Sequence, residues 1–278
     1  MIVWLASYPK SGNTLLRSML ASYFFSKDGI FNFKLLDNIP QFPSNPLFQN
    51  LGIDIKNQDE VIKNYIKVQE SFVKKNEVQF LKTHSYLFNI HNNHFTNLKN
   101  SFGAIYIARD PRSVAISYSN HRNQNIDKIT DQMIRGKYIG GNLSSKKIKD
   151  QTVTYTSSWE KNYNNWKSFD AVGKYLLVKY EDIVSEKKEE IFVEILNFVY
   201  YLNNKKPSLN KSKIRNILKT TMFEKMQSLE KKHGFSEAGK NDFFYKGPNN
   251  DWKKTLDFKN QQKIEKAFSK EMKELGYI

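Results

Sequence analysis

Residues 1–20, MIVWLASYPKSGNTLLRSML, constrain the fold more than any other stretch of the chain. The apolar run Ile2-Val3-Trp4-Leu5-Ala6 has the length and β-branched character of a buried strand. After Ser7-Tyr8-Pro9-Lys10-Ser11-Gly12-Asn13-Thr14, the residues Leu15, Leu16, Met19 and Leu20 recur at helical spacing. Strand, tight loop and helix is the architecture of a phosphate-binding loop, where backbone N–H groups and the helix dipole converge on an anion. Gly12 allows close backbone approach to a ligand. Lys10 offers an ammonium, and Ser11 and Thr14 offer hydroxyls. The nucleoside-triphosphate loop wants Gly, four residues, then Gly-Lys-Ser/Thr. Here Ser7 stands at the first glycine, and the lysine has moved back to position 10. A triphosphate kinase would lack its usual clamp. An ordinary strand-turn-helix with a solvated lysine is the other reading of these eight residues.

Later segments repeat the strand-end theme. Val78-Gln79-Phe80-Leu81 reads as a strand ending in Lys82-Thr83-His84. In open α/β sheets ligands sit beyond the carboxyl ends of strands, which puts Lys82 and His84 beside the loop. Residues 102–108 form a third predicted strand, running into Arg109-Asp110-Pro111-Arg112-Ser113, with Pro111 suited to the first helical turn. An arginine at that junction makes a second anion site; an ion pair with Asp110 is the competing role. Residues 175–180 read as a fourth strand. Amphipathic helices are expected over 57–76, 189–202 and 214–226. Trp159, Tyr163 and Trp166 have the spacing of core residues. The aromatic, proline-broken stretch 21–56 is either a flap over a pocket or a satellite of the core. Residues 123–152, polar and turn-rich, predict a mobile lid over an acceptor. His91 and His94 fit a turn better than a metal site, with no carboxylate or cysteine nearby.

The net charge of +16 raises the possibility of nucleic acid as a partner. Of 44 basic residues, however, only six are arginines, the residue that grips phosphates bidentately. The lysines are spread over helix faces, so a solvated surface is the better account and no nucleic-acid partner is expected. The absence of cysteine excludes a disulfide framework and thiolate chemistry. No run reaches the ~18 apolar residues of a membrane helix, and the first strand begins at residue 2, so a cytoplasmic protein without a membrane partner is expected. The 278 residues suit a single domain, 1–278.

The string Tyr8-Pro9-Lys10-Ser11-Gly12, followed one residue later by Thr14, resembles the 5′-phosphosulfate loop of the sulfotransferases that use 3′-phosphoadenosine 5′-phosphosulfate (PAPS). Lys82-Thr83-His84 resembles their general-base segment, and residues 105–118 their 3′-phosphate motif. Residues 220–226 and 243–253 resemble two further nucleotide segments. The likeness runs from residue 2 to about 254. It implies a P-loop-like, three-layer α/β fold with a central parallel sheet flanked by helices. It also implies an enzyme that moves a sulfuryl group from PAPS to a hydroxyl or amine of a small-molecule acceptor, by in-line displacement that releases 3′,5′-bisphosphoadenosine (PAP) and needs no metal. By this resemblance His84 is the base, with Lys10 and Lys82 as catalytic cations. Lys10, Ser11, Gly12, Asn13 and Thr14 hold the phosphosulfate end, and Leu15 stands at an adenine contact. Arg109 and Ser117 hold the 3′-phosphate, and Tyr180 contacts the adenine. Thr221, Met222, Phe223, Lys246 and Gly247 line the base and phosphates. Leu15, Met222, Tyr245 and Asn250 depart from the family's usual tryptophan, serine, arginine and glycine. Asn250 retains access to a left-handed conformation. Asp257, Phe258 and Gln262 depart from its dimer signature, so no dimer is implied. The acceptor is an alcohol, phenol, amine or carbohydrate. A kinase-like nucleotide-dependent transferase and a non-catalytic nucleic-acid binder are the alternatives.

Overall fold

The computed structural model describes residues 1–73, 78–139 and 152–278. Its centre is a four-stranded parallel sheet of β1 (Ile2–Ser7), β2 (Gln79–Thr83), β3 (Ser101–Ala108) and β4 (Tyr175–Lys179), in the order β2-β1-β3-β4. Parallel strands covered by helices on both faces need apolar residues in succession rather than in alternation. Every residue of β1 is accordingly buried. Its side chains divide between two cores. Ile2, Trp4 and Ala6 join Leu81, Ala104 and Tyr106 on one face. Val3 and Leu5 join Phe80, Ile105 and Ile107 on the other.

The helices complete three layers. The first face packs against α2 (Pro111–Arg122), α3 (Ile126–Arg135), α4 (Trp159–Lys167) and α8 (Phe258–Ala267). The second packs against α1 (Asn13–Phe25), α5 (Lys188–Leu202), α6 (Lys211–Thr220) and α7 (Phe223–His233). Trp159, Tyr163 and Trp166 are buried as their spacing predicts, and Trp166 donates its indole N–H to Ser85 O at 2.8 Å.

Register aligns the strand ends. Ala6 lies opposite Thr83 and Tyr106, and Ala108 opposite Lys179. The chain passes from β1 to β2 on one side, then to β3 on the other. This reversal opens a crevice at the carboxyl ends of β1 and β3, where ligands of such sheets bind. Lys10 follows one of those strands and Arg109 the other.

Three stretches differ from their sequence-based expectation, and a fourth takes one of its two expected forms. The aromatic stretch is a core satellite: Phe42 and Phe48 pack in the cluster of Trp4, and Phe31 in the opposite one. Burying three large rings outweighs any tendency of the prolines to keep the segment loose. The helix expected over 57–76 is two short helices, Gln58–Lys63 and Tyr65–Glu70, and 74–77 lie outside the described residues. The predicted lid contains a regular helix, α3, because Ile129 and Met133 share a buried face and Asn125 caps its first turn; the strand Lys137–Ile139 follows, and 140–151 lie outside the described residues. The helix expected over 214–226 is broken at Thr221-Met222, separating α6 from α7. His91 and His94 fall in a short hairpin, whose turn residues His91 and Asn92 have positive φ.

Candidate active site

The loop between β1 and α1 is built by two left-handed residues. Lys10 has φ 66° and Gly12 φ 101°. Gly12 is required twice over, for its φ and because a Cβ there would overlap the Tyr180 ring. Asn13 fastens the loop to the sheet by donating to Leu5 O at 2.9 Å and to Ser7 Oγ at 3.2 Å. Among the described residues the buried Ser11 hydroxyl has no hydrogen-bond partner. A buried orphan of this kind is an unusual cost, and an anion seated on the loop offers it an acceptor.

Arg109 joins the two strand ends. Its guanidinium donates to Lys10 O at 3.0 Å and to Gly247 O at 3.1 Å, and stacks 4.1 Å from the Tyr180 ring centroid. It does not pair with Asp110. That carboxylate caps α2 and binds Arg112 instead. Arg109 therefore has its position fixed by backbone carbonyls, and among the described residues no carboxylate pairs with it, which suits a site for an added anion. Gly247, at φ 52°, lies so close to Phe223 that a Cβ would collide with the ring.

One cavity of about 620 Å³ opens over these groups. It is lined by Lys10, Gly12, Asn13, Thr14, Leu15, Lys82, His84, Arg109, Ser117 and Tyr180, and by Thr221, Met222, Phe223, Lys246 and Gly247. All fifteen were named from sequence as site residues, Lys10 in two roles; the sixteenth, Ser11, sits behind the wall rather than in it.

 The helix break at Thr221-Met222 turns these residues toward the cavity, with Met222 44% exposed. Asn250 has φ −75° rather than a left-handed conformation, and its amide donates to Ser113 O at 2.8 Å.

His84 stands at the end of β2. Its Nδ1 lies 2.9 Å from Ser7 O. A carbonyl only accepts, so the proton is assigned to Nδ1 and the Nε2 lone pair is left available. Asn162 donates to His84 O at 3.0 Å and fixes the backbone behind the ring. Burial and the nearby Lys82 and Lys10 lower the histidine pKa to about 3, keeping the ring neutral. Burial, then Arg109 and Lys82, lower Lys10 to about 7, against the opposing pull of Glu237. The ammonium itself rests 3.4 Å from the Phe243 ring centroid.

These shifts fix the sign of a pH dependence. A reaction needing neutral His84 and protonated Lys10 loses Lys10's proton as pH rises through about 7. In kcat/KM, which reports the free enzyme, the alkaline limb is expected near pH 7, with no acid limb at the ordinary histidine value. An anion bound beside Lys10 favours its ammonium, so the limb in kcat is expected at higher pH. Profiles of both parameters test this; an alkaline limb of kcat/KM near the ordinary lysine value would contradict it.

Sequence reasoning missed several cavity groups. Gln41, His121, Arg122 and Glu237 also line it. The periodicity of α2 carries the signal for His121 and Arg122, one turn beyond Ser117 and Tyr118. Glu237 lies in an irregular segment and had no local signal. Its carboxylate accepts from Arg17 Nη1 at 2.5 Å, Lys82 Nζ at 2.7 Å and Thr14 Oγ1 at 3.3 Å.

No curated protein matches the chain. Among solved structures, it is similar to retinol dehydratase in complex with retinol and PAP, with 19% identity, a TM-score of 0.61, and coverage of 98% of this chain and 81% of that one. A complex of retinol dehydratase with androsterone and PAP gives 19% identity, a TM-score of 0.58, and coverage of 98% and 80%. A mouse sulfotransferase complexed with PAP gives 17% identity, a TM-score of 0.55, and coverage of 98% and 84%. These likenesses establish the shared fold. Among the described residues no helix is long and apolar enough to cross a membrane. The model of the sulfotransferase domain family matches residues 2–276, and the chain belongs to that family.

Proposed function

We propose that the protein transfers a sulfuryl group from PAPS to a hydroxyl or amine of a small-molecule acceptor. The observation that carries this reading is that Lys10 and Arg109, at adjacent strand ends, face one cavity and are linked by the 3.0 Å bond from Arg109 to Lys10 O. A bisphosphorylated adenosine has negative charge at both ends, and this arrangement offers each end a cation. The orphaned Ser11 hydroxyl and the first turn of α1 add donors at the phosphosulfate end. PAP in all three similar structures supports the same choice of nucleotide.

Bound, PAPS supplies an activated sulfuryl group. His84 Nε2 takes the proton of the attacking hydroxyl or amine as its bond to sulfur forms. Lys10 meets the negative charge that grows on the departing phosphate oxygen, and Lys82 the charge on the transferring group. His84 is only a weak base while burial and the charges of Lys82 and Lys10, partly offset by Glu237, hold its proton affinity down. Negative charge brought to those lysines raises its proton affinity, so the base strengthens when the donor site fills. Ser117 and Arg109 hold the 3′-phosphate and fix the nucleotide's register.

The acceptor end is more polar than the aromatic stretch suggests from sequence. From 31–55, Gln41 lines the cavity, while Phe42 and Phe48 are turned into the core. Gln41, His121 and Arg122 are positioned to hydrogen-bond an acceptor. Replacing Arg109 by Ala is expected to weaken PAP binding by ~10-fold or more, the scale of a lost charged hydrogen-bond pair. Isothermal titration tests this, and unchanged affinity would remove Arg109 from the site. Transfer of labelled sulfuryl from PAPS to a panel of alcohols, phenols, amines and carbohydrates tests the function itself. Labelled product is expected with at least one class; transfer from ATP instead would favour the kinase-like alternative.

A further inference from the structure

Glu237 places a carboxylate between Arg17 and Lys82, beside the phosphate loop. Its three donors come from regular elements: Thr14 and Arg17 from α1, and Lys82 from β2. Arg17 is also tied to Ile39 O at 2.7 Å and Leu36 O at 2.8 Å, so its place does not depend on the carboxylate. Glu237 itself comes from the irregular segment between α7 and Gly247. The side chain of Lys82 is 4% exposed and that of Glu237 24%. The same segment brings Phe243 against the Lys10 ammonium. Both lysines assigned to the donor are thus engaged by one piece of chain.

We infer that Glu237 is an internal ligand of the phosphosulfate site, holding Lys82 and Thr14 until the donor displaces it. This rests on the proposed function for the identity of the donor, but not for the presence of an anion site. Two carboxylate oxygens satisfy a lysine, an arginine and a hydroxyl, as an anionic oxygen of a phosphate would. An entering anion needs the same Lys82 and Thr14 donors and meets a like charge at contact distance. It must therefore shift the carboxylate, which can stay on Arg17 through Oε1 while releasing Oε2. Burial alone would raise the Glu237 pKa, but Lys82 and Arg17 outweigh it and hold it near 2, so the group remains charged at neutral pH.

Every anion that enters this pocket meets the same competitor. Glu237→Gln keeps the shape and removes the charge. Titrated at physiological ionic strength, the variant is expected to bind inorganic pyrophosphate and PAP each about tenfold more tightly than the wild type, within the usual range of coupling between linked events. Adenosine 3′-monophosphate, which reaches the Arg109 end alone, is expected to gain much less, because it does not compete with the carboxylate for Lys82 and Thr14. Glu237→Asp, which keeps the charge and withdraws it by one methylene, is expected to give a smaller gain of the same sign. Unchanged or weakened binding of pyrophosphate in Glu237→Gln would overturn the inference and make Glu237 a support for Lys82. An equal gain for adenosine 3′-monophosphate would also overturn it, as a general charge effect. If pyrophosphate gains while PAP binds to neither protein, the internal ligand stands and the proposed donor falls.

Discussion

Replacing His84 by Ala is expected to lower kcat by ~10²–10⁴-fold, the range for a lost general base. The size follows from the ring's setting. Its Nδ1 proton is committed to Ser7 O at 2.9 Å, and its surroundings keep it neutral. The remaining nitrogen has a lone pair at the edge of the cavity, so the ring can accept a proton and has no other proton to give up there. The imidazole is tied to β1 through Ser7, which Asn13 also grips, and the His84 backbone carbonyl is tied to α4 through Asn162. Truncation removes the bond to Ser7 O but leaves Asn162 on the His84 carbonyl and Asn13 on Ser7, so PAP affinity is expected to change little while turnover falls. Steady-state kinetics beside a PAP titration checks both. Near-normal turnover would take His84 out of the chemistry.

Replacing Lys10 by Ala is expected to cost ~10²-fold or more in kcat, the scale of a lost oxyanion donor. The lysine stands in a left-handed conformation at φ 66°, between a strand end and a helix start. That conformation turns its carbonyl to Arg109 and leaves its side chain on the cavity side. Burial makes the ammonium sensitive to added negative charge, which grows most on the departing oxygen as the bond to sulfur breaks. The loss is therefore expected in kcat more than in KM, as for an interaction that strengthens in the transition state. Single-turnover measurement with labelled PAPS checks it; an effect confined to KM would make Lys10 a ground-state binding residue.

The parts legible in sequence were those with local causes. The apolar run of β1 announces a strand covered on both faces, and Gly12 announces a close approach, which proves to be to Tyr180. Strand-end residues Lys82, His84 and Arg109 could be assigned to one edge because a parallel sheet aligns its carboxyl ends. What escaped depends on contacts across long separations in sequence. Glu237 meets Thr14 across 223 residues and Lys82 across 155. Asn162 reaches His84 across 78. No spacing rule reports such pairs. The aromatic stretch stayed undecided for a related reason: whether Phe42 covers a pocket or fills a core depends on where Trp4 and Phe95 stand, and they stand 5.7 and 5.9 Å from it. Helix α3 was hidden by its polar exposed face, although Ile129 and Met133 keep a helical interval on the buried side.

The central claim is that Lys10 and Arg109 bind opposite ends of one nucleotide. Its most direct test is a calorimetric titration of the wild-type protein with PAP, adenosine 5′-monophosphate and adenosine 3′-monophosphate under one set of conditions. Two anion sites that act together give PAP an affinity about 10-fold or more above that of either monophosphate, since each end contributes its own charged hydrogen bonds. Equal affinity for PAP and one of the monophosphates would mean that a single end is held, and would contradict the claim.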